Sequence, residues 1–125
     1  MKYGLKDSTI QKIQSVLALY PQVEKAILYG SRAMGNYKNG SDIDLTLCGA
    51  GLTMKVLYRI MDELDDLLLP YMIDLSILED IGDAGLRDHI QRVGLTFYAR
   101  DDAQLAVGEE KQATRKALYG EAQDG

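Results

Sequence analysis

The sequence predicts a single α/β unit. Segments with helical periodicity alternate with short segments whose apolar residues recur at every second position, and 125 residues suit one domain. A first helix is expected from about Ser8 to Tyr20, with Ile10, Ile13, Val16, Leu17 and Leu19 or Tyr20 forming one stripe, Asp7 or Ser8 as cap, and Pro21 as terminator. Val23 to Tyr29, holding the run AILY before Gly30, reads as a short buried strand ending in a tight turn. From Gly30 to Gly40 the chain is GSRAMGNYKNG, too rich in glycine and asparagine for a long element, with one helical turn expected over Ser31 to Met34.

The second strand is clearer. Ile43, Leu45 and Leu47 alternate with Asp42, Asp44, Thr46 and Cys48, so one face is apolar and the other displays two carboxylates. Thr53 to Leu69 places Val56, Leu57, Ile60, Met61, Leu64, Leu67 and Leu68 on a broad stripe, and this helix is expected to run until Pro70. Met72 to Leu78 repeats the strand pattern, with Ile73, Leu75 and Ile77 facing one way and Asp74 and Ser76 the other. A shorter helix over Asp83 to Val93 is broken by Gly94, and Leu95 to Tyr98 form the last strand. The expected division is a domain over 1–100 and a polar C-terminal arm over 101–125, helical from about Glu109 to Tyr119.

Composition narrows the function classes. At 46% apolar and 26% charged residues the chain reads as soluble and globular, and a net charge of −5 argues against direct binding to nucleic acid backbones. No apolar run approaches the roughly 18 residues of a membrane span, and no secretory leader pattern opens the chain, so a cytoplasmic protein is expected. The single cysteine, Cys48, fits a reducing compartment and reads as a small near-core residue.

Chemistry concentrates in the acids. Asp42 and Asp44 leave the same face of a strand, roughly 6 to 7 Å apart along the chain, and Asp74 repeats the arrangement on another strand. Three carboxylates on one face repel one another unless a cation sits among them, and an all-oxygen donor set points to Mg²⁺. The sole histidine, His89, reads as a surface or structurally satisfied residue. Just upstream, Gly30 and Ser31 follow a strand and open a turn whose free N–H groups and hydroxyl can grip a phosphate, with Arg32 and Lys38 adding positive charge on the same loop. The loop lacks the lysine and spacing of a Walker A motif. Together these parts would hold a metal-chelated triphosphate.

The run GSRAMGNYKNGSDIDL resembles the nucleotidyltransferase signature of Gly-Ser, ten intervening residues, then Asp-x-Asp, with Asp74 standing where that family places a third carboxylate. The resemblance covers about residues 8 to 98. It is greatest to the minimal nucleotidyltransferase group of the polymerase beta-like superfamily, small prokaryotic proteins usually encoded beside a HEPN-domain partner in toxin–antitoxin pairs. It implies a mixed sheet flanked by helices, Gly30 and Ser31 on the β- and γ-phosphates, Asp42 and Asp44 on the metals, and Asp74 completing the second metal site and aiding the attacking hydroxyl. It also implies ATP as donor, since some members transfer AMP to a tyrosine of the HEPN ribonuclease toxin and silence it. Such a chain has little left with which to build an acceptor pocket, so a protein partner or a homodimer would supply that wall, with Tyr37 or Tyr119 as contact residues. Two other readings compete: an antitoxin that neutralises its partner by binding alone, and a nucleotidyltransferase acting on a small molecule such as an aminoglycoside.

Overall fold

A computed structural model of the protein describes residues 1–100. The expected arm, with its helix over 109–119 and Tyr119, lies outside the described residues. Within them the chain runs α1 (Asp7–Ala18), β1 (Lys25–Tyr29), α2 (Ser31–Met34), β2 (Ile43–Cys48), α3 (Met54–Asp65), β3 (Ile73–Ile77), a 3-10 turn (Leu78–Asp80), α4 (Ala84–Val93) and β4 (Leu95–Ala99). The four strands form one sheet in the order β3-β2-β1-β4. β1 is antiparallel to both β2 and β4, whereas β2 and β3 run parallel, so the sheet is mixed. The β2–β3 connection must therefore cross over, and α3 makes the crossing.

Strand alternation divides the sheet into two unlike faces. Ala26 and Leu28 of β1, Ile43, Leu45 and Leu47 of β2, Leu75 and Ile77 of β3 and Phe97 of β4 join one buried cluster with Ile13, Val16 and Leu17 of α1 and Leu57, Ile60 and Leu64 of α3. Full burial of side chains of this size stabilises the fold by about 1.5–3 kcal/mol each. The opposite face carries Tyr29, Asp44, Thr46, Cys48, Asp74 and Ser76, and α4 covers only part of it. Ile90 of α4 is buried there, and Gly94 lies so close to Ile27 that a side chain at 94 would collide with it.

Several element boundaries differ from the sequence expectation. The α1 cap position is Lys6, without a side-chain bond, not Asp7 or Ser8; Asp7 instead places its carboxylate in the first turn, where the helix dipole favours it. Ahead of α1 a tight turn pairs Lys2 with Leu5 and buries Leu5 completely, so the N-terminal residues belong to the core. Helix α3 begins where expected, with the Thr53 hydroxyl accepting the Val56 N–H at 3.3 Å, but it stops at Asp65 and does not reach Leu69. The N–H groups of Leu67 and Leu68 turn back to the carbonyls of Leu64 and Asp65, and Leu68 adopts φ 55°. Leu67 and Leu69 still reach the core from this turn, whereas Leu68 is 87% exposed.

Leu68 therefore holds a left-handed conformation without burial to offset it. Leu68→Gly should raise the unfolding free energy by about 0.5–1 kcal/mol, after glycine's own entropy loss. Urea denaturation would show this as a higher midpoint with an unchanged slope; a lower midpoint would mean that the leucine contributes contact energy.

Candidate active site

Sheet register assembles the site. Tyr29 pairs with Asp44 across β1 and β2, and Asp44 pairs with Asp74 across β2 and β3, so the three residues form one row. Directly paired residues project to the same face, which brings the Asp44 and Asp74 carboxylates side by side. Asp42 stands two residues before Asp44, near enough for its charge to act on it. In the next row the Ser76 hydroxyl donates to Thr46 Oγ1 at 2.9 Å, which satisfies a fully buried threonine. Helix α4 reaches the Tyr29 end of this row but leaves the aspartates open: Asp44 is half-buried, and Asp42 and Asp74 are exposed.

Gly30 follows the row directly and has φ 76° and ψ −156°, a region open in practice to glycine alone. A Cβ there would also overlap Asp44 Oδ2. The glycine thus turns the chain off the sheet and lets the carboxylate lie against the turn. The Gly30 carbonyl accepts the N–H groups of Ala33 and Met34, both at 3.1 Å, which closes the single turn of α2 and places half-buried Ser31 at its head.

Arg32, read from sequence as a cation for phosphate, takes a different place. It is 3% exposed. Its Nε and Nη2 donate to the Ser41 carbonyl at 3.1 and 2.8 Å, and its Nη1 donates to the Tyr3 carbonyl at 2.9 Å. Its guanidinium lies 5.2 Å from the Tyr37 ring centroid and 4.9 Å from that of Tyr71. The first residue of the ten-residue spacer is thereby bound to the last, and Asp42 follows directly from the anchored Ser41. Tyr37, read from sequence as a partner-contact residue, packs against this arginine. Lys38 is exposed, in a turn where its N–H donates to the Ser41 hydroxyl at 2.8 Å.

Burial raises the Asp44 carboxyl above the usual carboxylate range, the charges of Asp74 and Asp42 raise it further, and His89 works in the opposite direction. Burial also raises the Tyr29 phenol; a bond with Ser76 lowers it, and the charges of Asp74 and Asp44 raise it again. The Tyr29 hydroxyl therefore stays protonated beside the acids. Burial is the main cause of the raised Cys48 thiol, at the other end of β2.

Among the described residues no group of three His, Cys, Asp or Glu side chains is gathered closely enough to hold an ion unaided. The donor chemistry nevertheless fits Mg²⁺, which is commonly bound through one or two carboxylates, waters and the phosphates of a substrate. Burial raises Asp44 first and repulsion by Asp74 and Asp42 adds to it; a cation among these acids would relieve both.

The structure thus brings Gly30, Ser31, Asp44 and Asp74 together, keeps Asp42 beside them, turns Arg32 inward and leaves Lys38 exposed on the loop. Two members of the site were not recognised as such from sequence. Tyr29 was legible, because alternation from core-facing Leu28 aims it toward the acids. His89 was not: its Nε2 accepts the Gly30 N–H at 3.2 Å from 59 residues away, and its ring meets Tyr29 edge-on at 6.2 Å between centroids.

A mixed sheet with a Gly-Ser turn closing one strand and paired carboxylates on the next two is a nucleotidyltransferase fold. The chain belongs to the family described as "Polymerase beta, Nucleotidyltransferase", whose profile matches residues 11–103. No curated protein matches it. Among solved structures, a chain in the crystal structure of a toxin–antitoxin with AMP-PNP is 22% identical, with 91% of this chain and 95% of that chain covered and a TM-score of 0.59. A chain in the structure of a tri-AMPylated Shewanella oneidensis HEPN toxin in complex with MNT antitoxin is also 22% identical, with the same coverage and a TM-score of 0.58. A chain of the toxin–antitoxin MntA-HepT is 20% identical over 90% of this chain and 95% of that one, with a TM-score of 0.57. At this identity the likeness establishes the fold.

Two outcomes follow from the site's construction. Arg32→Lys keeps the charge but loses the forked donor pair and the flat stacking surface, and should cost about 3 kcal/mol of stability in chemical denaturation; a cost near zero would show the loop closed by other means. The folded-state pKa of Asp44 is raised, so this group favours the fold when protonated and loses that contribution as pH rises through the raised value. Asp44→Asn should therefore melt above the wild type in EDTA at neutral pH. The gap should narrow toward pH 4, and added Mg²⁺ should raise the wild-type melting temperature more than that of the variant.

Proposed function

We propose that the protein is a Mg²⁺-dependent nucleotidyltransferase that moves AMP from ATP to a tyrosine hydroxyl of a HEPN-type toxin and so serves as its antitoxin. The observation that carries this reading is the row of Asp44 and Asp74 lying against the Gly30–Ser31 turn, with Asp42 alongside. The likeness to chains from toxin–antitoxin structures, one with AMP-PNP and one with an AMPylated toxin, supports the choice of donor and acceptor.

The turn would receive the β- and γ-phosphates, with the Ser31 hydroxyl and free backbone N–H groups as donors. Asp42, Asp44 and Asp74 would hold Mg²⁺, which supplies charge neutralisation of the leaving pyrophosphate and activation of the acceptor hydroxyl. In the transfer itself the acceptor oxygen bonds to the α-phosphorus, the bond from that phosphorus to the bridging β-phosphate oxygen breaks, and pyrophosphate leaves with the bonding pair. Asp74, exposed at the sheet's edge, would take the hydroxyl proton. Protonated Tyr29 would stand beside the ionised acids as a neutral wall.

The openness of the row bears on the acceptor. A cleft of about 390 Å³ beneath α4 is lined by Lys25, Ile27, Leu78, Arg87, Ile90 and Thr96 and by none of the three carboxylates. The carboxylates themselves face outward, as suits an acceptor carried on a folded partner whose surface completes the enclosure. A net charge of −5 would favour approach by a basic partner. The reading goes with a cytoplasmic protein; among the described residues no helix is long and apolar enough to cross a membrane.

Incubation with ATP, Mg²⁺ and the product of the neighbouring gene should add nucleotide-sized mass to that product, read by intact-mass spectrometry. Asp44→Asn should slow the transfer roughly a hundred- to thousandfold, and Asp74→Asn should lower kcat with little change in KM for ATP. Unchanged turnover in both variants would remove the assignment, and toxin neutralisation without added mass would identify an antitoxin acting by occlusion.

A further inference from the structure

The Gly30 N–H sits where the β1–β2 ladder ends, and the unusual backbone of Gly30 turns the chain away from any further strand partner. A half-buried N–H without an acceptor is unfavourable, and this one is satisfied by an imidazole instead of by backbone. The imidazole belongs to α4, which is fixed independently of it. Ile90 is buried on the sheet, and Arg87 donates to the carbonyls of Leu78 and Ile81 at 2.8 and 3.1 Å. Asp83 caps the helix by accepting the N–H groups of Gly85 and Leu86 at 2.8 and 3.2 Å. The helix can therefore stay in place while the half-buried His89 side chain turns.

We propose that His89 is a reversible stopper of the phosphate-gripping turn: in the nucleotide-free protein its Nε2 holds the Gly30 N–H, and the phosphate of an incoming nucleotide displaces it. The proposal rests on the reading of Gly30 and Ser31 as the phosphate site. To accept a hydrogen bond, Nε2 must present its lone pair, which puts the ring proton on Nδ1. A phosphate oxygen competes for the same N–H with full negative charge, and charge-assisted bonds of this kind are roughly twice as strong as neutral ones. The contact is long for a neutral pair, at 3.2 Å, and easily exchanged. Held this way, the turn is kept open and its amide satisfied until a nucleotide arrives. His89 is thus a positioning residue for the turn.

His89 is the only histidine in this sequence, so the untagged 125-residue chain gives one set of imidazole signals. Long-range ¹H–¹⁵N NMR during titration with α,β-methylene-ATP and Mg²⁺ should show the Nε2 resonance and the Gly30 amide shifting together with one affinity. By calorimetry His89→Ala should bind the analogue roughly two- to tenfold more tightly, the range carried by one neutral hydrogen bond. A Gly30 amide that moves while Nε2 keeps its signal would overturn the proposal, as would weaker binding by His89→Ala, which would make the imidazole a ligand of the nucleotide. Absence of any binding to the wild type would overturn the reading of the phosphate site, and the stopper with it.

Discussion

The buried guanidinium of Arg32 is the constraint on which the site's geometry depends. β1 and β2 are antiparallel neighbours, yet a long segment separates them, and only a hold between its two ends lets Gly30 and Asp42 keep a fixed relation. Arg32 supplies it by bonding twice to the Ser41 carbonyl from the start of the loop. The charge is buried without a carboxylate among those bonds; it is met by carbonyl dipoles and by two tyrosine faces. Tyr3 reaches it through a left-handed N-terminal turn, where a side chain at Gly4 would strike Tyr37 and the guanidinium itself. The extreme N-terminus, the loop and the segment before β3 are thereby tied to one cation.

Against that rigid frame the acids are placed at a disadvantage. Asp44 is half-buried and flanked by two like charges, and the fold accepts this because Gly30 presents no side chain to exclude the carboxylate. A site arranged for its own comfort would have spread these groups or paired them with a cationic side chain. Arg32, the cation at the head of the same loop, is directed inward instead, which leaves the carboxylate oxygens uncovered by it. The cost in stability and the proposed role as a site for a metal-chelated triphosphate go back to the same arrangement.

Much of this was legible in the chain, in proportion to how local the cause was. The two-residue alternation in β2 and β3 revealed both the core face and the acidic face, and the signature spacing joined Gly30 and Ser31 to Asp42 and Asp44. The early end of α3 was hidden, because Leu67 to Leu69 continue the apolar stripe although Leu68 is turned outward at positive φ. Arg32 was misjudged because the type of a residue states its charge and not its surroundings; nothing within the loop announces that Tyr3 and Tyr71 will enclose it. His89 was out of reach for the same reason at longer range, since it meets Gly30 only once α4 is seated on the sheet.

The pairing of Asp44 with Asp74 carries a more demanding requirement than either residue shows alone. Side chains along a strand alternate faces, so a one-residue slip of β3 against β2 would send Asp74 into the core and bring Ile73 or Leu75 to the site. A parallel pair has no hairpin turn to set its register, and here that task falls to the crossover. Leu57, Ile60 and Leu64 hold α3 against the sheet, and the turn after Asp65 followed by Pro70 meters the chain before β3 begins. An amphipathic helix on the far side of the sheet therefore decides whether the two carboxylates meet, which makes core packing of α3 a determinant of the acidic row and not merely of stability.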